Sequence, residues 1–145
     1  MNATAPLYLL DTNILVHYVR RDKVQEKIEA QCSLLLTPVV PLISYVTEAE
    51  IRSLGIQFGW GAVRMNQLGF VLSLIRRVPI SEPGIIDAYV AIDTYSLEQG
   101  VEMGKNDLWI AATAHVTGAM LLTTDKDFNH LQGKFLNSVY IPPQT

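Results

Sequence analysis

Residues 7–13 read Leu-Tyr-Leu-Leu-Asp-Thr-Asn, four apolar residues running straight into an acid and two small polar residues. A short, unbroken apolar run fits a strand buried on both faces, as in the middle of a parallel sheet. Ligands of open α/β sheets bind beyond the carboxyl ends of such strands. The run therefore predicts a central first strand with Asp11 at its lip. Asp, Thr and Asn are also good helix N-caps, so the stretch alone leaves open whether Asp11 caps a helix or serves a site.

The rest of the chain supplies the partners of that strand. Apolar residues at Ile14, Leu15, Tyr18 and Val19 predict a helix over residues 12–21, and a second short helix follows over 24–32. The β-branched run 39–43 predicts a second strand, and Ser44 or Thr47 can cap a helix reaching about residue 57. After a turn around Gly59 and Gly61, a long helix is expected over 62–77, with Leu68, Val71, Leu72 and Ile75 on one stripe. A third strand is expected over 78–80. Pro83 then opens a helix carrying Ile86, Val90, Asp93 and Leu97 and ending at Gly100. The polar stretch 104–107 leads into a helix running to Gly118, followed by strands over 120–122 and 139–141. Strands alternating with helices define a parallel α/β sheet with helices on both faces. With 145 residues and no linker or repeat, one domain over residues 1–145 is expected.

In such a sheet, strand ends and the starts of the following helices share one edge. Asp11 follows strand one, Glu48 and Glu50 open the helix after strand two, Asp107 opens a helix, and Asp125 and Asp127 follow strand four. Four segments thus deliver carboxylates to one rim. Carboxylates within about 4–6 Å repel and raise one another's pKa, so gathering them implies a cation. An all-oxygen set suits Mg²⁺ or Mn²⁺. Each acid also has a plainer role: Asp107 as a cap, the two glutamates as first-turn acids, Asp125 as a turn residue, Asp127 as the cap of a short 128–131 turn. Asp93 lies on its helix's apolar stripe and is expected to be buried and hydrogen-bonded.

Other chemistries fit poorly. Cys32 stands alone, which excludes a disulfide within the chain and points to a reducing, cytoplasmic compartment. The three histidines have no metal-ligand spacing, no Ser lies in a Gly-x-Ser-x-Gly elbow, and Gly59-x-Gly61 follows no strand. Asn13 occupies the position where a paired-aspartate phosphatase needs its second acid. No apolar run nears the roughly 18 residues that cross a bilayer, and the first six residues lack the features of a signal peptide. The net charge of −3 argues against a generic nucleic-acid binder, but bound cations would reverse the local sign. The basic groups Arg20, Arg21 and Lys23, and Arg76 and Arg77, read as solvated helix ends. Hydrophobic residues reach 49% against 17% charged, which is apolar for a chain of this size and hints at surface covered by a partner.

The pieces Leu10-Asp11-Thr12-Asn13, Ser44-Tyr-Val-Thr47-Glu-Ala-Glu50-Ile51, Asn106-Asp107-Leu-Trp-Ile-Ala-Ala-Thr113 and Leu122-Thr123-Thr124-Asp125-Lys-Asp127-Phe128, in this order, resemble the PIN-domain ribonucleases, specifically the VapC-type toxins. The resemblance covers nearly the whole chain. Residues 55–61 depart from the small-residue pattern usual after the acidic helix. The resemblance implies a three-layer α/β/α fold with a parallel sheet of four to five strands in the order 3-2-1-4-5. It places the family's acids on Asp11, Glu50, Asp107 and Asp125, with Asp127 a further candidate ligand, Asn13 and Thr123 in support, and Glu48 left as a flanking surface acid. The implied activity is Mg²⁺- or Mn²⁺-dependent endonucleolytic cleavage of RNA. The implied partners are a second copy of the chain and a small antitoxin whose tail covers the acidic groove. Alternatives from other classes are a catalytically inactive PIN module that binds RNA or protein, and a structure-specific DNA nuclease.

Overall fold

The computed structural model describes residues 5–143; residues 1–4, which carry most of the stretch read against a signal peptide, and residues 144–145 lie outside the described part. Five parallel strands form one sheet: β1 (Tyr8–Leu10), β2 (Leu42–Ser44), β3 (Arg76–Val78), β4 (Met120–Thr123) and β5 (Ser138–Tyr140). Their order is β3-β2-β1-β4-β5, with β1 in the middle as its apolar run requires. Six helices connect them: α1 (Thr12–Arg20), α2 (Lys23–Cys32), α3 (Tyr45–Gln57), α4 (Ala62–Ser73), α5 (Ile85–Glu98) and α6 (Lys105–Thr117). A 3-10 turn, Lys126–Leu131, follows β4.

Side-chain alternation sends successive residues of the inner strands β1, β2 and β4 into two cores, so these strands carry no polar face. Tyr8, Leu10, Ile43 and Leu122 enter one core with Ile14, Leu15 and Tyr18 of α1 and Leu68, Val71 and Leu72 of α4. Leu9, Leu42 and Leu121 enter the other with Ile92 of α5, Ile110 of α6 and Phe128 of the 3-10 turn. Both faces of β1, β2 and β4 are sealed, so the polar residues of these three strands, Ser44 and Thr123, stand at their carboxyl ends, whereas the edge strand β3 carries Arg76 and Arg77. No helix of the described residues is long and apolar enough to cross a membrane.

Several expected boundaries move. β2 begins at Leu42 instead of residue 39, because Pro41 has no N–H to give a ladder; its carbonyl instead accepts from Arg76 N at 2.9 Å. α4 stops at Ser73 in a tight turn, Leu74 N to Val71 O and Ile75 N to Leu72 O, and Arg76 and Arg77 enter β3. They are strand residues, not a solvated helix end. β3 closes before Pro79. Pro83 lies ahead of α5, which Gly84 caps at φ 93°. Ser44, whose Oγ accepts from Val46 N at 3.1 Å, caps α3, while Thr47 is buried within the helix. The stripe Ile86, Val90 and Leu97 faces solvent; Ile85, Ala88 and Ile92 face the core. Asp93 is accordingly half-buried and makes no hydrogen bond among the described residues.

Candidate metal centre

The carboxyl rim collects its acids from the ends of β1 and β4, the second turn of α3 and the first turn of α6. Asp11 leaves β1, its N–H extending the pairing to Leu122 O at 3.0 Å. It then caps α1, with Oδ1 accepting from Thr12 N at 2.8 Å. Its Oδ2 accepts from Thr123 Oγ1 at 2.7 Å, across the β1–β4 junction. Only 5% of Asp11 is exposed. Burial raises its pKa, the bonds from Thr123 and Thr12 oppose the rise, and Asp125 and Glu50 add to it; the net direction is up. Cap and site residue are thus one carboxylate with two oxygens in different use.

Glu50 sits inside α3. Thr12 Oγ1 donates to its Oε1, and Asn106 Nδ2 donates to its Oε2 at 3.1 Å. α1 and α6 therefore both orient it. Glu48, two residues earlier, lies about 200° away around the helix. It is not the free surface acid expected: its side chain is 17% exposed and pairs with Arg77 of β3 and with Arg52 at 2.8 Å. The bond from Arg77 holds its carboxyl below the usual range, burial opposing and Arg52 assisting. Glu48→Gln is expected to cost about 1 kcal/mol of stability at neutral pH. RNA cleavage should change little, whereas Glu50→Gln should remove it. Denaturant melts and cleavage assays on both variants separate the two roles.

Asp107 lies in the first turn of α6, and Asp125 caps the 3-10 turn, accepting from Asp127 N at 2.9 Å while its own N–H donates to Thr123 Oγ1 at 2.9 Å. Asp127 itself is not the cap of that turn. The buried Phe128 and Leu131 pin the turn to the core and so fix both aspartates. Asp107, Asp125 and Asp127 each place one carboxylate oxygen within 4.8 Å of the others. Burial raises the Asp107 pKa to about 7, with the charges of Asp11, Asp125, Asp127 and Glu50 adding to it. Burial and the adjacent Asp125 likewise raise Asp127.

The structure thus brings Asp107, Asp125 and Asp127 into one ligand-sized cluster, with Asp11 and Glu50 close enough to repel Asp107. Such a set fits a hard divalent cation: every donor is an oxygen, and none of the three aspartates is ion-paired to a Lys, Arg or His among the described residues. Thr123 holds Asp11. Asn13 is exposed and bonds none of the carboxylates among the described residues. Thr12 and Asn106, to which the sequence motifs assign no role at the site, hold Glu50. Their signal was position: each is the immediate neighbour of a rim aspartate. The histidine side chains go elsewhere, His17 to Asp22, His130 to Ser96 and His115 to the Phe135 carbonyl.

Residues 8–134 match the PIN domain family. The chain is 31% identical over 130 residues to the ribonuclease VapC1 of Haemophilus influenzae strain R2866, covering 86% of this chain and 92% of that protein. Among solved structures, it superposes on a chain of VapBC-1 from nontypeable Haemophilus influenzae with a TM-score of 0.73 at 26% identity, covering 92% of this chain and 97% of that one. A chain of VapBC2 from Rickettsia felis, solved bound to a DNA fragment from its promoter, gives a TM-score of 0.78 at 22% identity, covering 92% and 98%.

Proposed function

Since the chain belongs to the PIN-domain family, we propose that it is a divalent-metal-dependent endoribonuclease, the toxin of a VapBC-like toxin–antitoxin pair. The observation that carries this is the convergence of Asp107, Asp125 and Asp127 within 4.8 Å, beside Asp11 and Glu50. Asp11, Glu50, Asp107 and Asp125, with Asp127 as a further ligand, would hold Mg²⁺ or Mn²⁺. When bound, such a cation polarises a phosphodiester and makes water a better nucleophile at neutral pH.

The chain's own contribution is orientation and charge. Thr123 fixes the Asp11 carboxylate from β4, and Thr12 and Asn106 fix Glu50 between two helices. Because these supports come from regular elements, the acids are preorganised rather than gathered by the ligand. The raised pKa of Asp107 means that the cluster holds a proton near neutrality and gives it up as a cation enters.

The proposed partners are a small antitoxin and a second copy of the chain. Large exposed apolar residues on two surfaces support this: Ile56 and Val63 around the α3–α4 turn, and Ile86, Val90 and Leu97 along α5. An arginine from the antitoxin tail would meet the rim's carboxylates with charge-assisted bonds.

The full chain, freed of any co-purifying partner, should cut RNA with Mg²⁺ or Mn²⁺ and stop with EDTA, and should leave DNA of the same sequence intact. Equal cleavage of DNA would move the assignment to a DNA nuclease. Absence of cleavage together with absence of metal binding by calorimetry would make the chain an inactive binding module.

A further inference from the structure

We propose that Tyr140 and Lys126 form a nucleotide subsite next to the acidic cluster, with Tyr140 stacking on an unpaired RNA base and Lys126 contacting that nucleotide's phosphate. The proposal rests on the ribonuclease reading and deepens it, since a base can stack on a side chain only where it is unpaired and splayed.

Placement carries the argument. Tyr140 ends the edge strand β5 and is in register with Thr123, the residue that bonds Asp11. Strands lie about 4.8 Å apart, so the Tyr140 backbone stands one strand from Thr123 and roughly 10 Å from β1, on the same rim. That is the scale of one nucleotide's reach from the cluster. Lys126 lies between Asp125 and Asp127 in the chain, is exposed, and holds its Nζ 5.5 Å from the centre of the Tyr140 ring. It forms no ion pair with either acid among the described residues. A cation placed in an acidic cluster would relieve the repulsion best by pairing with it; this one is turned to an aromatic face instead.

The fold holds two other cation–aromatic pairs among the described residues, and neither has this placement. Arg20 over Phe58 lies at the last turn of α1, away from its rim end. Lys134 over Tyr95 belongs to the return loop before β5. Tyr140 is half-buried, and its hydroxyl makes no hydrogen bond among the described residues, so part of the side chain is open to solvent with Lys126 over its ring. Lys126 can yield that surface to a base and take up the adjoining phosphate. This exchanges a cation–π contact for a charge-assisted bond. An aromatic platform beside a cation is the combination by which proteins hold single strands without reading their sequence.

The test uses the full chain carrying Asp11→Asn, which prevents turnover, and single-stranded RNA oligonucleotides with 2-aminopurine at successive positions. Stacking quenches the probe. Quenching at one position, kept by Tyr140→Phe and lost by Tyr140→Leu with affinity weakened about 5- to 100-fold, is the expected result. Lys126→Gln, at an exposed position, should weaken binding and lower the slope of log affinity against log salt by about 0.7. A folded Tyr140→Leu variant that still quenches, or a Lys126→Gln variant with an unchanged salt slope, overturns the subsite. If the wild type cuts RNA but these variants behave like it, the subsite fails and the ribonuclease reading stands. If quenching follows Tyr140 while the wild type cuts nothing, the subsite stands and the ribonuclease reading fails.

Discussion

Asp11→Asn is expected to reduce RNA cleavage by about a thousandfold or more while leaving the metal-free protein at least as stable as wild type at neutral pH. The two halves of this expectation have one cause. Asp11 is a buried carboxylate whose pKa is raised by burial and by Asp125 and Glu50, so in the absence of a cation its charge weakens the fold. Asparagine keeps the shape and keeps an oxygen to accept from Thr12 N, which preserves the α1 cap. The Thr123 hydroxyl, which donates to Asp11, can turn and accept from the new amide. What disappears is the negative charge a cation needs. Cleavage rates with Mn²⁺ and melting temperatures in EDTA measure both halves. A variant that cuts at the wild-type rate would remove Asp11 from the centre; one that loses activity by unfolding would make it a cap and nothing more.

How far the sequence speaks depends on whether a signal is local. The run through Leu9 and Leu10 announces a strand sealed on both faces, and the two cores meeting there are the physical counterpart. Sheet order and the place of β1 agree with the expectation. Boundaries were less legible because strands of three or four residues carry little pattern, and a missing N–H at Pro41 or Pro79 outweighs a β-branched run. α5 failed for a different reason. Its apolar residues form two stripes, Ile85–Ala88–Ile92 and Ile86–Val90–Leu97, and periodicity alone does not say which one meets the sheet.

The site shows the same division. That acids gather at one rim follows from topology and is legible. Which of Glu48 and Glu50 turns toward β1 does not follow from topology and comes only from the family resemblance, because it depends on the rotation of α3 against its neighbours. The residues that settle it, Arg77 on one side and Thr12 with Asn106 on the other, come from strands and helices distant in sequence. The family resemblance puts Asn13 in support of the site, but successive helical residues diverge by about 100°, and the neighbour that turns inward is Thr12.

The metal-free protein is expected to lose stability as pH rises from about 4 to about 7, and a divalent cation is expected to reverse that slope. Asp107 has a reference pKa of 3.8 and a folded value of about 7, so between these limits the native state holds a proton that the unfolded chain has released. Stability therefore falls with rising pH across this window and levels off above it. Asp11 and Asp127 are shifted in the same direction and steepen the fall. Glu48 and Asp22 work at the acid end. Arg77 holds Glu48 low; burial pushes Asp22 up, but the bonds from His17 and Gln25 N–H prevail. Their contribution is present above their unfolded values and disappears as pH drops through the folded ones. The optimum without metal should consequently be mildly acidic. Above about pH 7 a cation no longer competes with the Asp107 proton, and at a hundred times its dissociation constant it adds about 2.7 kcal/mol, or roughly 5–10 °C in melting temperature. Asp107→Asn should flatten the EDTA profile and shrink the cation's effect together. Melting curves across this pH range in EDTA and in MnCl₂ provide the check. Stability that climbs toward neutral pH in EDTA would mean that the acids are relieved by the protein itself, and a melting temperature indifferent to Mn²⁺ would leave the cluster without its cation.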